Sequence, residues 1–128
     1  MSLNSVLYVE DEPDIQQIVK MLLTKSDIEV FDFDSGESAI EAAQELSFDM
    51  MILDLMLKEI DGVSTLEKIR SFDKHKDVPC VFLTAKVDRK TLSDIDKIDN
   101  VGIVYKPFNL NTFLDELQRQ KARLSPSN

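Results

Sequence analysis

Five short apolar runs alternate along the chain with segments in which apolar residues recur at helical spacing. The runs lie at 5–9, 28–33, 50–53, 80–83 and 101–105, and in most of them nearly every residue is apolar. Such runs are typical of strands that are buried on both faces. The intervening segments place apolar residues three or four positions apart, which indicates helices that bury one face. The pattern therefore predicts five strand–helix units in succession.

Residues that suit the first turn of a helix mark where most of the helices begin. Pro13 favours the start of the first helix, and Ser35 precedes the second. The third helix follows the polar loop at 58–62. Asp88 is expected to cap the fourth helix and Asn109 the fifth, because short polar side chains accept hydrogen bonds from free backbone N–H groups.

Alternating strands and helices of this kind predict the α/β fold class. Strands without a wet face must be covered on both sides, so we expect a parallel sheet between two layers of helices, a doubly wound (βα)5 sandwich. A chain of 128 residues suits one domain. We assign this domain to residues 5–124, with a disordered or cloning-derived start at 1–4 and a tail at 125–128.

The charge balance and the residue inventory exclude several classes of function. The 15 Lys and Arg against 24 Asp and Glu give a net charge of −9, which argues against direct binding of nucleic acid. No apolar run approaches the roughly 20 residues of a membrane span, so no membrane association is expected. The lone cysteine, Cys80, cannot form an internal disulfide and fits a cytoplasmic protein. The lone histidine, His75, lies in a loop rich in Lys and Asp and is expected to be exposed and inert.

The predicted strands end in polar residues of a definite kind. The first strand is followed by Glu10 and Asp11, the third ends at Asp54, the fourth at Thr84, and the fifth just before Lys106. Parallel strands place their carboxyl ends at one edge of the sheet, so these side chains are expected to converge. Three carboxylates that meet there repel one another, and cations relieve the repulsion. Lys106 supplies one charge, and a hard divalent ion such as Mg²⁺ suits the oxygen ligands.

A carboxylate, a divalent metal, a hydroxyl and an ammonium in one pocket indicate a site that accepts a phosphoryl group. Asp54 is then the nucleophile and forms an acyl phosphate. Asp11, with Glu10 behind it, holds the metal. Thr84 and Lys106 bind the other phosphoryl oxygens, and the lysine neutralises charge as the group transfers.

Five motifs follow one another in order: VLYVEDEP at 6–13, ILDLML at 52–57, DG at 61–62, LTA at 83–85 and YKPF at 105–108. Together they resemble the receiver domain of bacterial two-component response regulators, the CheY-like family, and the likeness covers nearly the whole chain. The resemblance implies a flavodoxin-like fold with five parallel strands in the order 2-1-3-4-5, of which CheY is an example. It also implies a cis peptide bond before Pro107.

The resemblance implies a phosphoprotein switch and not an enzyme of ordinary turnover. Asp54 would accept a phosphoryl group from the phosphohistidine of a histidine kinase, giving 4-aspartylphosphate in a two-component phosphorelay. Mg²⁺, or Mn²⁺ in its place, would be ligated directly by Asp11, Asp54 and the backbone carbonyl of Met56, and by Glu10 through water.

The family also implies the partners of such a domain. They are a cognate histidine kinase or phosphotransfer protein, and an output domain or target at the face made by the fourth helix, fifth strand and fifth helix. A homodimer through the last helix is consistent with the family. Three positions depart from its pattern: Ile103 replaces a usual aromatic residue, the segment 99–102 replaces a Gly-Ala-Asp-Asp stretch, and Lys58 stands where proline is frequent.

Three other readings of the acidic edge compete with this one. A degenerate receiver that acts only as a docking module would typically lose the acidic cluster or the lysine, and this chain keeps both. A Mg²⁺-dependent phosphatase of the haloacid-dehalogenase type carries a second Asp two residues after the nucleophile, where this chain has Met56. A flavodoxin-like electron carrier cradles a phosphate in a hydroxyl-rich loop after the first strand, where this chain has three consecutive acids.

Overall fold

The computed structural model describes residues 3–124. Its strands are β1 (Ser5–Val9), β2 (Glu29–Phe33), β3 (Met50–Asp54), β4 (Cys80–Thr84) and β5 (Val101–Tyr105). Its α-helices are α1 (Pro13–Lys25), α2 (Gly36–Ala43), α3 (Gly62–Arg70), α4 (Arg89–Asp96) and α5 (Leu110–Leu124), and a 3₁₀ turn, Asp73–His75, precedes β4. Each strand and helix that the sequence predicts is therefore present.

The five strands form one parallel sheet in the order β2-β1-β3-β4-β5. Val6 pairs with Met50 across β1 and β3, and Cys80 pairs with Val101 across β4 and β5. The doubly wound α/β fold is thus confirmed, as is the strand order that the resemblance implied. This order places β1, β3 and β4 in the interior of the sheet, where both of their faces are covered.

Alternate residues of each central strand pack into two separate apolar layers, one on each side of the sheet. Leu7 and Val9 of β1 belong to one layer, whereas Val6 and Tyr8 belong to the other. This is the two-residue period of a strand. All ten residues of β3 and β4 are buried, including Cys80. The absence of polar alternation in these runs therefore reflects burial on both faces.

The predicted helix starts are confirmed by their hydrogen bonds. Ser35, Asp88 and Asn109 each accept a backbone N–H with the side-chain oxygen, at 3.2, 2.7 and 2.8 Å. Asp61 does the same for α3 at 2.8 Å, and Pro13 begins α1. Each such cap typically stabilises a helix by about 1 kcal/mol. Between residues 3 and 124, none of the helices combines the length and the apolarity needed to cross a bilayer.

The expectation that His75 is exposed is wrong. Only 2% of His75 is exposed. Its ring stacks on Phe48 with the centroids 4.2 Å apart, and its Nε2 lies 2.8 Å from the carbonyl oxygen of Ala43. Burial lowers its pKa, which favours the neutral form of the ring. Lys74 and Lys76 are exposed, whereas His75 between them points inward. The charge of its neighbours in the sequence therefore did not indicate the burial of His75.

The start of the chain is described in part. Leu3 is buried in an apolar layer, and the backbone N–H of Asn4 donates to the carboxylate of Asp49 at 3.0 Å. In the segment predicted as a disordered start, Leu3 is therefore packed against the domain and Asn4 is hydrogen-bonded to it. The remainder of that segment, 1–2, and the tail at 125–128 lie outside the described residues.

Candidate functional site

Three strands that are distant in sequence deliver charged side chains to the carboxyl edge of the sheet. Glu10 follows β1, Asp54 is the last residue of β3, and Lys106 follows β5. The strand register aligns these ends, because Val9 pairs with Leu53 and the backbone N–H of Lys106 donates to the carbonyl of Thr84 at 2.8 Å. The predicted convergence at this edge is found for these three side chains.

Lys106 is the centre of the cluster. Its Nζ lies 3.1 Å from Oε1 of Glu10 and 3.5 Å from Oδ2 of Asp54. The Glu10 side chain is fully buried, and only 11% of the lysine side chain and 5% of the Asp54 side chain are exposed. The ammonium and both carboxylates therefore interact in surroundings from which most water is removed, where charge–charge interactions are strong.

The pKa values of the cluster show that negative charge is in excess. Burial and the neighbouring Asp54 together raise the pKa of Glu10 to about 7, although Lys106 acts in the opposite direction. Burial by itself lowers the pKa of Lys106, but the carboxylates of Glu10 and Asp54 outweigh this effect and leave it raised. The hydroxyl of Tyr8 donates to Oε1 of Glu10 at 3.4 Å. One ammonium does not fully compensate the two buried acids.

The donor set of the cluster fits a hard divalent cation. Carboxylate oxygens of Glu10, Glu12 and Asp54 all lie within 4.8 Å of one another. Oxygen ligands and unbalanced negative charge are what Mg²⁺ requires of a protein site. Glu10 and Asp54 are almost entirely buried and share the ammonium of Lys106, and this pair of close carboxylates is the observation of this structure that supports the fit.

Asp11 lies outside this group of three acids, and Glu12 lies within it. The backbone at Glu12 is extended, with φ −93° and ψ 111°, and successive side chains of an extended segment point to opposite sides. Residues 10 and 12 therefore share one side, whereas Asp11 lines a neighbouring cleft of about 210 Å³ with Asp34 and Glu59. The sequence analysis did not place Glu12 in the site. Residues two positions apart in an extended segment lie on the same side, so the spacing of Glu10 and Glu12 could have predicted it. Direct metal binding by Asp11 stays a prediction.

Asp54 is oriented by groups on both sides of its carboxylate. Oδ1 accepts the backbone N–H of Met56 at 3.0 Å, and Oδ2 faces Lys106. The Met56 side chain is exposed, whereas only 5% of the Asp54 side chain is. The metal-ligating role of the Met56 carbonyl also stays a prediction.

The hydroxyl of Thr84 is engaged by its own loop. It donates to the carbonyl of Lys86 at 2.8 Å and accepts the backbone N–H of Lys86 at 3.3 Å. Thr84 is buried at the end of β4, as its place in the sequence predicts. No hydrogen bond joins it to Asp54 in the part of the chain that is described. The peptide bond between Lys106 and Pro107 is cis, as the resemblance implied.

Gly62 fixes the loop that follows Asp54. Its backbone N–H donates to the carbonyl of Leu55 at 3.1 Å. A Cβ at this position would lie 2.6 Å from the carbonyl oxygen of Asp54 and 2.9 Å from Cα of Leu55. Both neighbours are backbone atoms that cannot rotate away. The absence of a side chain at Gly62 therefore allows α3 to begin against the end of β3.

Gly62→Ala is expected to destabilise the protein by about 2 kcal/mol, in the range found when extra atoms are forced into a packed site. Urea denaturation measures the change. The matched control is Gly102→Ala, where the added Cβ meets mainly the flexible end of the Gln120 side chain. We expect a smaller loss in this control. Equal losses in the two variants would contradict the role assigned to the backbone contact.

Comparison with known proteins gives a consistent result. The sequence profile of the response regulator receiver domain matches residues 6–118. The transcriptional regulatory protein SrrA of Staphylococcus aureus is 33% identical over 106 residues, which are 83% of this chain and 43% of that protein. The chain thus spans less than half the length of this curated relative.

Solved structures agree with this match. The chemotaxis protein CheY4 of Vibrio cholerae is similar with a TM-score of 0.85 and 29% identity, over 92% of this chain and 98% of that one. The receiver domain of the sensor histidine kinase PA1611 from Pseudomonas aeruginosa is similar with a TM-score of 0.81 and 25% identity, over 94% and 99% of the two chains. The PA1611 structure has a magnesium ion coordinated in its active-site cleft.

Proposed function

Because this chain belongs to the family of response regulator receiver domains, we propose that Asp54 accepts a phosphoryl group from the phosphohistidine of a histidine kinase. One observation carries the proposal. Lys106, which is 52 residues away in sequence, holds its ammonium 3.5 Å from Oδ2 of Asp54 and 3.1 Å from Oε1 of Glu10. This places a positive charge beside a nearly buried carboxylate.

The transfer needs a nucleophile and compensation of charge. A carboxylate oxygen of Asp54 attacks the phosphorus atom, the phosphorus–nitrogen bond breaks, and its electron pair passes to the imidazole of the donor histidine. The ammonium of Lys106 then neutralises negative charge on the phosphoryl oxygens. Thr84 would bind another of these oxygens after its hydroxyl leaves the Lys86 carbonyl, exchanging a neutral hydrogen bond for a stronger charge-assisted one.

We propose that the acidic cluster binds Mg²⁺, for which Mn²⁺ can substitute. The proposed ligands are Asp11, Asp54 and the backbone carbonyl of Met56, with Glu10 acting through a water molecule. Bound there, the ion would supply positive charge to the phosphoryl oxygens. The excess of negative charge around Glu10 supports this assignment, as does the magnesium ion in the related PA1611 cleft.

The output of such a switch is proposed for the face formed by α4, β5 and α5. Ile103 lies on β5 in this face and is half-buried, and Tyr105 is exposed beside it. A histidine kinase or phosphotransfer protein would act as donor, and an output domain, a target protein or a second copy of the chain would bind this face. The cytoplasmic location and the absence of direct nucleic-acid binding also stay predictions from sequence and family.

The alternative functions have less support. A docking module without phosphorylation does not require a lysine held between two buried carboxylates, and this chain maintains that arrangement. A phosphatase of the haloacid-dehalogenase type needs an acid at position 56, and Met56 has no proton to give. The receiver function accounts for each of these observations.

The direct test is exposure of the protein to acetyl phosphate with Mg²⁺, followed by intact mass spectrometry. We expect the mass of one phosphoryl group to be gained, and the label to map to Asp54 and to be released by hydroxylamine, as an acyl phosphate is. The gain should disappear when EDTA replaces Mg²⁺. A label on a serine or threonine, or labelling that is indifferent to EDTA, would overturn the proposal.

A further inference from the structure

Glu12 occupies the N-cap position of α1 but does not cap the helix. It makes no side-chain hydrogen bond to the first turn, whereas the cap residues Ser35, Asp61 and Asp88 all do. The Glu12 carboxylate instead lies 3.8 Å from Nζ of Lys106. The Glu12 side chain therefore does not stabilise the start of α1 by a hydrogen bond, and it lies toward the acidic cluster instead.

The position of Glu12 differs from that of the other two acids. Its carboxylate lies within 4.8 Å of those of Glu10 and Asp54, yet 61% of its side chain is exposed. Glu10 and Asp54 lie in the buried part of the cluster, and Glu12 lies on its exposed side. Three carboxyl groups thus lie near the ammonium of Lys106, and that of Glu12 is the most exposed of them.

We propose that Glu12 sets the balance between metal affinity and phosphoryl acceptance at this site. The inference rests on the proposed function and goes beyond it, because it gives a role to Glu12, which the family resemblance left without one. The Glu12 carboxylate attracts the divalent cation together with Glu10 and Asp54. The same carboxylate repels an incoming phosphoryl group and competes with it for the ammonium of Lys106.

These two effects have opposite signs, which separates them from a structural role. Removal of the charge weakens the attraction for a divalent ion, so metal affinity falls. Removal of the charge also lowers the repulsion of an anionic donor and frees Lys106, so phosphoryl transfer at saturating metal becomes faster. A variant that only disturbed the fold would lose both metal affinity and rate.

The first experiment titrates Mg²⁺ alone into wild type and Glu12→Gln by calorimetry. Because Glu12 is partly exposed, we expect the dissociation constant to rise by about three- to tenfold, as for one charge near a divalent ion in a largely aqueous setting. Asp14→Asn is the matched control, since Asp14 is an exposed acid in the first turn of the same helix. It should change the constant by less than about twofold. A constant for Glu12→Gln no higher than that of Asp14→Asn would overturn the inference.

The second experiment measures the rate of labelling by acetyl phosphate, with Mg²⁺ saturating for each variant. Glu12→Gln should be labelled about threefold faster than wild type, and phosphoramidate, which carries less negative charge, should show a smaller gain. Equal or slower labelling of Glu12→Gln would overturn the second half of the inference. The metal titration needs no phosphoryl transfer, so the failure of wild type to be labelled is a separate result that concerns the proposed function alone.

Discussion

Asp54→Asn is expected to lower phosphoryl acceptance from acetyl phosphate by at least about a thousandfold, because a neutral amide oxygen replaces the anionic nucleophile. The change is nearly isosteric. The remaining side-chain oxygen can still accept the N–H of Met56, as Oδ1 of Asp54 does at 3.0 Å. The loss of labelling would therefore report chemistry and not unfolding. Intact mass spectrometry under the conditions used for wild type provides the measurement.

The same variant should leave the fold intact and slightly more stable in the absence of metal. Asp54 raises the pKa of Glu10 by direct interaction, so the repulsion between them disappears when Asp54 becomes neutral. Asp115→Asn is the matched control, because Asp115 is an exposed acid in α5 that does not belong to the acidic cluster. It should be labelled within a few-fold of wild type. Labelling of Asp54→Asn at the wild-type rate would show that another residue is the acceptor.

The elements of the fold could be predicted because burial leaves a direct mark on the sequence. β3 and β4 are buried on both faces, so their runs contain no polar alternation and their ends are sharp. The caps at Asp88 and Asn109 were predictable because the hydrogen bond is local to each residue. No pattern in the sequence indicated the order of the strands in the sheet, which was predicted only from the family resemblance.

The convergence of Glu10, Asp54 and Lys106 could be predicted because a parallel sheet gathers the carboxyl ends of its strands. The directions in which individual side chains point could not be predicted in this way. Whether Asp11 or Glu12 faces the lysine depends on the backbone angles of the loop after β1, which residue types alone do not fix. The Thr84 hydroxyl likewise found a partner in the Lys86 backbone through the shape of its own loop.

Contacts between distant segments were the hardest to foresee. Arg70, at the end of α3, donates to the backbone carbonyls of Val78 and Asn100 at 2.8 and 2.9 Å, and also to that of Asp99 at 2.6 Å. From the sequence alone, Arg70 cannot be distinguished from an ordinary basic residue in the last turn of a helix. Its role depends on the packing of three segments, as the burial of His75 depends on Phe48 and Ala43.

Lys106→Met is expected to destabilise the protein by about 3 kcal/mol at about pH 8, because removal of one partner leaves buried charge without compensation. Methionine keeps much of the length and packing of the lysine stem. The buried charge that remains belongs to Glu10 and Asp54, of which Glu10 is fully buried. Free energies of unfolding from urea titrations, made without divalent metal, measure the loss. Phosphoryl acceptance should fall with it, since the ammonium no longer neutralises the transferring group.

The loss should depend on pH in a definite direction. The pKa of Glu10 is already raised from 4.5 to about 7 in the folded protein, and loss of the ammonium raises it further. A group whose pKa is higher when folded stabilises the protein most below its ordinary pKa, and this stabilisation is lost as the pH rises through the folded value. At about pH 5.5 Glu10 in the variant is therefore protonated, and the difference from wild type should be less than half of that at about pH 8. The buried His75 is common to both proteins, so its own titration cancels in the comparison.

A second substitution identifies the group responsible. In Glu10→Gln/Lys106→Met no ionisable group remains at position 10, so most of the stability at the higher pH should return and the dependence on pH should flatten. Lys106→Arg, which keeps the positive charge, should lose less stability than Lys106→Met. If Lys106→Met lost the same free energy at both pH values, and the double variant did not recover, the lysine would act through packing alone. The electrostatic account of the site, in which one ammonium makes two buried carboxylates tolerable until a cation and a phosphoryl group arrive, would then be wrong.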